Sequence, residues 1–214
     1  MSGPAEAHVE AYISTQSVYC YLLFDRLLEL SARIEVRIRP VLGGVLRLPG
    51  AYAGRSEMEA RYFVADSART AEFLGLPLVH PDPSPIAFDE NRLWTAKPDQ
   101  PRNKYLQRVF VGAVEAGCGP AFLDRVLRRL WDGSLAGWDR DGALAAPLGA
   151  IGLDLETLLA DMSWPRAQTI LERNAEAMYA AGHWGVPLMV FRGEPFYGQD
   201  RFDQLLWRIE TTNT

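Results

Sequence analysis

Ser17 and Cys20 lie one helical turn apart, where an apolar strand gives way to a helical pattern. A serine at a helix start can cap the helix by accepting a backbone N–H group. It can also donate its hydroxyl to a sulfur, which the unpaired N–H groups of a helix N-terminus favour as a thiolate. Serine cannot form a mixed disulfide. The position therefore predicts a site for the sulfur of a ligand, with simple helix capping as the alternative.

The cysteines and histidines do not suggest a resident redox or metal centre. Cys20 lies among Tyr19, Tyr21 and Leu22, where a cysteine is ordinarily a small buried apolar residue; a resolving thiol that attacks a ligand disulfide is the alternative. Cys118 is distant, so the chain has no Cys-x-x-Cys pair, disulfide framework or zinc motif. The three histidines have no ligand spacing, and we expect no bound metal.

A second candidate site surrounds Val186 and Pro187, which open an apolar run near the C-terminus. Proline donates no backbone hydrogen bond, so it belongs at the first position of a strand or at an edge. An X-Pro bond at such a position can be cis. A cis proline would leave the backbone N–H and C=O groups of Val186 free to pair with an extended, peptide-like ligand.

The hydrophobic pattern predicts the elements that position these residues. Residues 9–14 and 34–41 alternate as strands around a buried helix over 18–32, which indicates a parallel βαβ unit with a right-handed crossover. Residues 42–55 are rich in glycine and are predicted to form a loop. A long helical stretch follows, interrupted by an extended proline-rich segment over 80–85. The predicted helices are 57–74, 104–117, 121–131, 141–149, 154–161 and 165–182. A strand over 188–191, a hairpin, a short strand over 195–197 and a helix over 202–212 complete the chain.

Composition narrows the class of protein. The 214 residues are 48% hydrophobic and 23% charged, which is typical of a globular protein. A net charge of −5 argues against a nucleic-acid partner, because phosphate binding needs clustered Lys and Arg. No apolar run reaches the ~20 residues of a membrane span, and the N-terminus lacks the pattern of a signal peptide. We therefore expect no membrane association and a cytoplasmic location.

Two motifs resemble those of a known group, the 2-hydroxychromene-2-carboxylate isomerases and kappa-class glutathione transferases of the DsbA-like thioredoxin superfamily. The sequence Ser17-Val18-Tyr19-Cys20-Tyr21-Leu22 is similar to the group's Ser-Pro-Tyr-x-Tyr-Leu, with valine in place of proline. Gly185-Val186-Pro187 and Phe196-Tyr197-Gly198-Gln199-Asp200-Arg201 are similar to its Gly-Val-Pro and Phe-Trp-Gly-x-Asp-Arg. Leu42-Gly43-Gly44-Val45 also fits. The resemblance covers nearly the whole chain.

The resemblance implies an α/β, thioredoxin-like fold (βαβ…ββα) with a large all-helical insertion. The thioredoxin-like domain would comprise residues 8–50 and 183–212, and the insertion residues 51–182. The resemblance also allows a homodimer.

The resemblance further implies glutathione as cofactor. Ser17 would hydrogen-bond its sulfur, and Val186, before a cis Pro187, would pair with its cysteinyl backbone. Gln199 and Asp200 would receive the γ-glutamyl group, with Asp200 facing the ammonium and helix N–H groups facing the carboxylate.

One segment departs from the family pattern. Members often carry an Asn-x-Pro-type segment after the second strand, where this chain has residues 49–55, Pro-Gly-Ala-Tyr-Ala-Gly-Arg. The substrate pocket is therefore not carried over. We expect His183 and Trp184 to pack in the core, with a place at the pocket border as the alternative. The tryptophans of the insertion, expected in the core or at an interface, are Trp94, Trp131, Trp138 and Trp164.

The function that these residues favour is a glutathione-dependent isomerase acting on an aromatic or chromene-type carboxylic acid, or on a related enone. In such an enzyme the bound thiolate is a borrowed nucleophile. A kappa-like transferase, a thiol-disulfide oxidoreductase and a non-catalytic thiol- or peptide-binding module are the alternatives.

Overall fold

The computed structural model describes residues 7–52 and 54–212. Its sheet has four strands in the order β2-β1-β3-β4. β1 pairs with β2 in parallel and with β3 in antiparallel orientation, and β3 pairs with β4 as an antiparallel hairpin. The strands are β1 His8–Ile13, β2 Glu35–Pro40, β3 Leu188–Phe191 and β4 Glu194–Tyr197.

Within the described residues, eleven α-helices precede the C-terminal strands. They are α1 Val18–Tyr21, α2 Phe24–Ser31, α3 Gly44–Arg47, α4 Pro49–Tyr52, α5 Glu57–Leu74, α6 Pro101–Glu115, α7 Gly119–Phe122, α8 Arg128–Trp131, α9 Ala145–Gly149, α10 Leu155–Asp161 and α11 Trp164–Ala180. A π-helical segment over Leu123–Leu127 joins α7 to α8. After β4, a 3-10 turn over Gln199–Arg201 leads into α12, Phe202–Thr212.

Both faces of the sheet are covered, which explains why β3 is buried throughout and β1 is buried except at His8 and Glu10. Val9, Ala11 and Ile13 face one way from β1 and join the large core that also contains residues of α2, α6 and α12. Tyr12 faces the other way and packs with Met178 of α11. Alternation of side chains along a strand sends neighbours to opposite faces. The N-terminal strand therefore links two apolar layers.

The order of elements confirms the α/β, thioredoxin-like fold, but three local predictions need correction. The buried helix expected over 18–32 is two helices, because the chain makes a turn at Leu22 and Leu23. The loop expected over 42–55 contains the short helices α3 and α4. The helix expected over 141–149 begins only at Ala145. Local propensity is weak at such short elements, and tertiary packing decides them.

None of the helices within residues 7–52 and 54–212 is both long and apolar enough to cross a lipid bilayer.

Candidate functional site

The Val186–Pro187 peptide bond is cis, as the family resemblance implies. Pro187 immediately precedes β3, and its carbonyl accepts the N–H of Gly198 across the hairpin at 2.9 Å. Among the described residues, neither the N–H nor the C=O group of Val186 forms a hydrogen bond with the protein. Val186 therefore has a free donor and a free acceptor, as an extended ligand backbone requires.

Ser17 lies at the N-cap of α1 and has extended backbone angles. Its Oγ accepts the backbone N–H of Cys20 at 3.3 Å, so the capping interpretation is correct. Besides this cap, the hydroxyl interacts among the described residues with the buried Cys20 thiol. A neutral thiol is a weak acceptor and a hydroxyl rotates freely about its C–O bond, so Ser17 can turn its hydrogen to a ligand while it caps α1. Because α1 is a single turn, that donation, rather than a long helix dipole, is what the position offers.

Ser17 and Val186 line one cavity of about 190 Å³, here called the aromatic cavity. Rings from several separate segments form its walls. These aromatic residues are Tyr19, Tyr52, Phe63, Phe88, Trp94, Trp184 and Tyr197. Such a lining favours a flat, apolar ligand.

Two arginines give the aromatic cavity its electrostatic character. Arg47 and Arg55 both line it, and no aspartate or glutamate is found among its described lining residues. The Arg55 guanidinium lies over the Tyr52 ring, 4.6 Å from the centroid. The hydrogen bonds of Arg47 go to neutral oxygens, including Tyr179 Oη at 2.8 Å and the Trp184 carbonyl at 2.9 Å. The cavity is therefore suited to an aromatic ligand that carries a negative charge.

A second depression of about 390 Å³, here called the cis-proline groove, adjoins the aromatic cavity. It is lined by Val186 and Pro187, by Gln199 and Asp200, and by a stretch of α5 that includes Asp66. Three residues, Tyr19, Val186 and Tyr197, line both spaces. A ligand in the groove and a ligand in the cavity would thus meet beside Val186 and Ser17.

Tyr19 is held in place at this junction. Its hydroxyl donates to Asp66 Oδ2 at 2.7 Å, and its ring packs edge-on against Phe63 at 5.6 Å between centroids. Burial, followed by this hydrogen bond to Asp66, raises the pKa of Tyr19. Tyr19 therefore stays protonated at neutral pH and fixes α1 relative to α5.

Two glycines allow the chain to pass closely at the site. A Cβ on Gly185 would lie 2.3 Å from Cε2 of Tyr197. Gly198 has φ +97°, which side-chain-bearing residues rarely adopt, and it directs the chain into the turn that presents Gln199 and Asp200. Glycine at positions 185 and 198 is therefore a steric requirement of this junction.

Cys20 is fully buried. Burial raises the pKa of its thiol to about 12, although hydrogen bonds from Ser14 and Ser17 oppose the shift. Its Sγ accepts the backbone N–H of Ser14 at 3.4 Å. A thiol without a thiolate form at neutral pH is a poor nucleophile, so the interpretation as a buried apolar residue is the better one.

Sequence reasoning missed several lining residues. Trp94 was expected in the core or at an interface, but it lines the aromatic cavity, and its indole N–H is buried with no acceptor among the described residues. Trp184 was expected to pack in the core; it is 40% exposed and also lines the cavity. Tyr52 and Arg55 come from the segment over 49–55 that departs from the family pattern, and Arg47 lies just before it. Two arginines on either side of a tyrosine, in a stretch over 47–55 without aspartate or glutamate, were the available signal.

His183 and the buried tryptophans have structural positions. His183 stacks on Tyr197 with 3.8 Å between centroids and accepts the Gly185 N–H at 2.8 Å. Burial lowers the pKa of its imidazole. Trp131 and Trp138 are buried, as expected. A larger cavity of about 710 Å³, beside Ile34 and Leu206, contains none of the predicted site residues.

Comparison with known proteins agrees with the fold. The model of the DSBA-like thioredoxin domain family matches residues 8–210. A solved 2-hydroxychromene-2-carboxylate isomerase (HCCA isomerase) shares 21% identity and superimposes with a TM-score of 0.70, over 96% of this chain and 95% of the other. A probable DsbA oxidoreductase from Streptomyces coelicolor shares 19% identity with a TM-score of 0.60, over 94% and 89% of the two chains.

A third structure is the cytosolic disulfide reductase DsbM from Pseudomonas aeruginosa with GSH. It shares 14% identity with a TM-score of 0.61, over 95% of this chain and 99% of the other. At these identities the three similarities establish the fold alone. A comparison with curated proteins found no match.

Proposed function

Since the chain belongs to the DSBA-like thioredoxin domain family, we propose that it is a glutathione-dependent isomerase of an aromatic or chromene-type carboxylic acid, or of a related enone. The observation that carries the proposal is the junction of two spaces at Val186. One space has free backbone groups beside a cis proline, and the other has aromatic walls and two arginines.

The residues of the cis-proline groove fit glutathione. The unpaired N–H and C=O groups of Val186 match the cysteinyl backbone. Asp200 is exposed at the groove and offers a carboxylate to the γ-glutamyl ammonium. Ser17 retains a hydroxyl hydrogen to donate to sulfur where the groove meets the aromatic cavity. Each part of the tripeptide other than its glycine thus has a chemically matched partner.

Bound glutathione would supply a thiolate that adds reversibly to an unsaturated carbon, so that the former double bond can rotate before the thiolate leaves unchanged. The protein itself has three tasks. Ser17 stabilises the charged sulfur through one hydrogen bond, and the aromatic walls hold the flat substrate and exclude water from the sulfur.

The third task is orientation of the substrate carboxylate, which we assign to Arg55. Its guanidinium lies over Tyr52 and makes no ion pair with the acidic residues of the described chain. An arginine fork matches a carboxylate in two hydrogen bonds. Arg47 adds positive charge to the cavity. Its guanidinium already donates to the carbonyls of Leu42 and Trp184 and to the Tyr179 hydroxyl, which hold the side chain in place.

The state of Cys20 favours isomerisation over thiol-disulfide exchange. An oxidoreductase needs a resident thiolate to attack a disulfide. Here Ser17 occupies the first position of the motif, and Cys20 is fully buried with its pKa raised to about 12. A nucleophile must therefore come from a bound thiol.

The decisive experiment gives the protein 2-hydroxychromene-2-carboxylate with a small fraction of an equivalent of glutathione. We expect complete isomerisation with the glutathione concentration unchanged at the end, and no reaction without glutathione. Stoichiometric loss of glutathione would instead indicate a transferase. Glutathione binding without turnover on a panel of electrophiles would indicate a binding module, and absence of glutathione binding by calorimetry would refute the proposal.

A further inference from the structure

Arg26 of α2 lies outside the cis-proline groove but hydrogen-bonds Gln199, which lines it. Its Nη1 donates to the backbone carbonyl of Gln199 at 2.9 Å, and its Nη2 donates to Oε1 of the same residue. The guanidinium also lies over the Phe202 ring, 5.4 Å from the centroid. One arginine thus holds both the backbone and the side chain of the turn that follows Gly198.

These contacts determine which end of the Gln199 amide is free. An arginine side chain has only donors, so the amide oxygen must face Arg26. The amide nitrogen lies on the opposite side and makes no hydrogen bond with the described residues. Because Gln199 lines the groove, its two N–H donors remain for a ligand.

The positive charge of Arg26 makes the Gln199 amide a stronger donor. Arg26 is partly buried, and burial lowers the pKa of its guanidinium, while Asp203 and Asp200 oppose the shift. The ordinary pKa of arginine is so high that the group stays charged. A cation bound to the amide oxygen polarises the amide and makes its N–H groups better donors. The natural partner of such donors is an anionic oxygen.

We infer that Arg26 is a positioning residue for thiol recognition: it orients the Gln199 amide so that its N–H groups bind the α-carboxylate of the γ-glutamyl group. Asp200, next in the chain and exposed at the groove, faces the ammonium on the same carbon. The pair thereby recognises a zwitterionic amino-acid head. This inference rests on the proposed function, because it assumes that glutathione occupies the groove.

The test compares two ligands by isothermal titration calorimetry: glutathione and 4-aminobutanoyl-Cys-Gly, which lacks only the α-carboxylate. Arg26→Met should weaken glutathione binding about 5- to 10-fold, as expected for loss of one hydrogen bond to a charged group. It should change the affinity for 4-aminobutanoyl-Cys-Gly by less than about twofold. Arg33→Met is the matched control, because Arg33 follows the same helix and its side chain is 62% exposed; it should affect neither ligand.

A double-mutant cycle separates positioning from a direct or purely structural role. Gln199→Leu should weaken glutathione binding to a similar degree, and Arg26→Met added to it should cause almost no further loss. Losses that multiply, or an equal loss for both ligands, would overturn the inference. If Arg26→Met folds poorly by circular dichroism, Arg26→Lys replaces it, because lysine keeps the charge but not the two-pronged guanidinium. Arg26→Lys must then lose affinity for glutathione while its affinity for 4-aminobutanoyl-Cys-Gly stays nearly unchanged. Failure of the wild-type protein to bind glutathione would overturn the proposed function, and the inference with it.

Discussion

Substitution of Ser17 by alanine tests whether this protein stabilises a sulfur that is not its own. In the structure the Ser17 Oγ accepts the Cys20 N–H at 3.3 Å, and its hydrogen can turn from the neutral Cys20 thiol to a bound sulfur. Alanine removes both interactions. We therefore expect two separate effects, one on the ionisation of bound glutathione and one on the stability of the fold.

The size of each effect follows from the interaction that is lost. A hydrogen bond to a charged group contributes about 1.5–3 kcal/mol, which corresponds to a rise of about one to two units in the pKa of the bound thiol. The sign is positive because Ser17 donates to the thiolate and has less to offer the neutral thiol. Loss of the cap should lower the free energy of unfolding by about 1 kcal/mol.

The assay follows the ultraviolet absorbance of the thiolate as the glutathione complex is titrated with base. Ser17→Thr keeps a hydroxyl and should retain most of the lowered pKa. Ser163→Ala is the matched control for capping, because Ser163 caps α11 through Arg166 N at 3.4 Å, away from both lining sets. It should lower the unfolding free energy by a similar amount and leave the thiol titration unchanged.

One result would refute the reasoning about Ser17. If the Ser17→Ala protein still binds glutathione and the thiol titrates at the same pH as in the wild-type complex, Ser17 is only a helix cap. The lowered pKa would then have to come from elsewhere in the groove, and the sulfur would not lie at Ser17.

Three further predictions concern separate residues. Asp200→Asn should weaken glutathione binding about 5- to 10-fold, but should leave the binding of glutaryl-Cys-Gly, which lacks the ammonium, nearly unchanged; calorimetry that shows an equal loss for both ligands would contradict that role. Arg55→Met should raise KM about 10-fold for an aromatic enone bearing a carboxylate and hardly affect its neutral methyl ketone, so equal effects on the two substrates would exclude carboxylate recognition. Cys20, with its pKa raised to about 12, should resist alkylation between about pH 6 and 9 in the folded protein, while the partly exposed Cys118 reacts. Mass spectrometry that finds Cys20 modified first would contradict its burial.

Local sequence patterns were enough to predict the elements that position Ser17 and Pro187. The place of Pro187 at the start of an apolar strand follows from a residue that cannot donate to the sheet, and its cis geometry was implied by the family resemblance. The N-cap role of Ser17 follows from a hydroxyl before a helical pattern. The parallel pairing of β1 with β2 follows from a strand, a helix and a strand in succession. Each of these properties depends on one continuous stretch of the chain.

Only the tertiary structure showed which residues line the aromatic cavity and that Arg26 binds Gln199. Arg26 and Gln199 are 173 positions apart, and Trp94 meets Phe63 and Tyr52 from a loop whose position no short pattern encodes. Arg55 belongs to a segment that the glycine content indicated only as a loop. Hydrophobic periodicity reports which side of an element is buried, but it does not report which distant element covers that side. The sequence by itself therefore determined where a sulfur could be held, and only long-range packing decided what surrounds it.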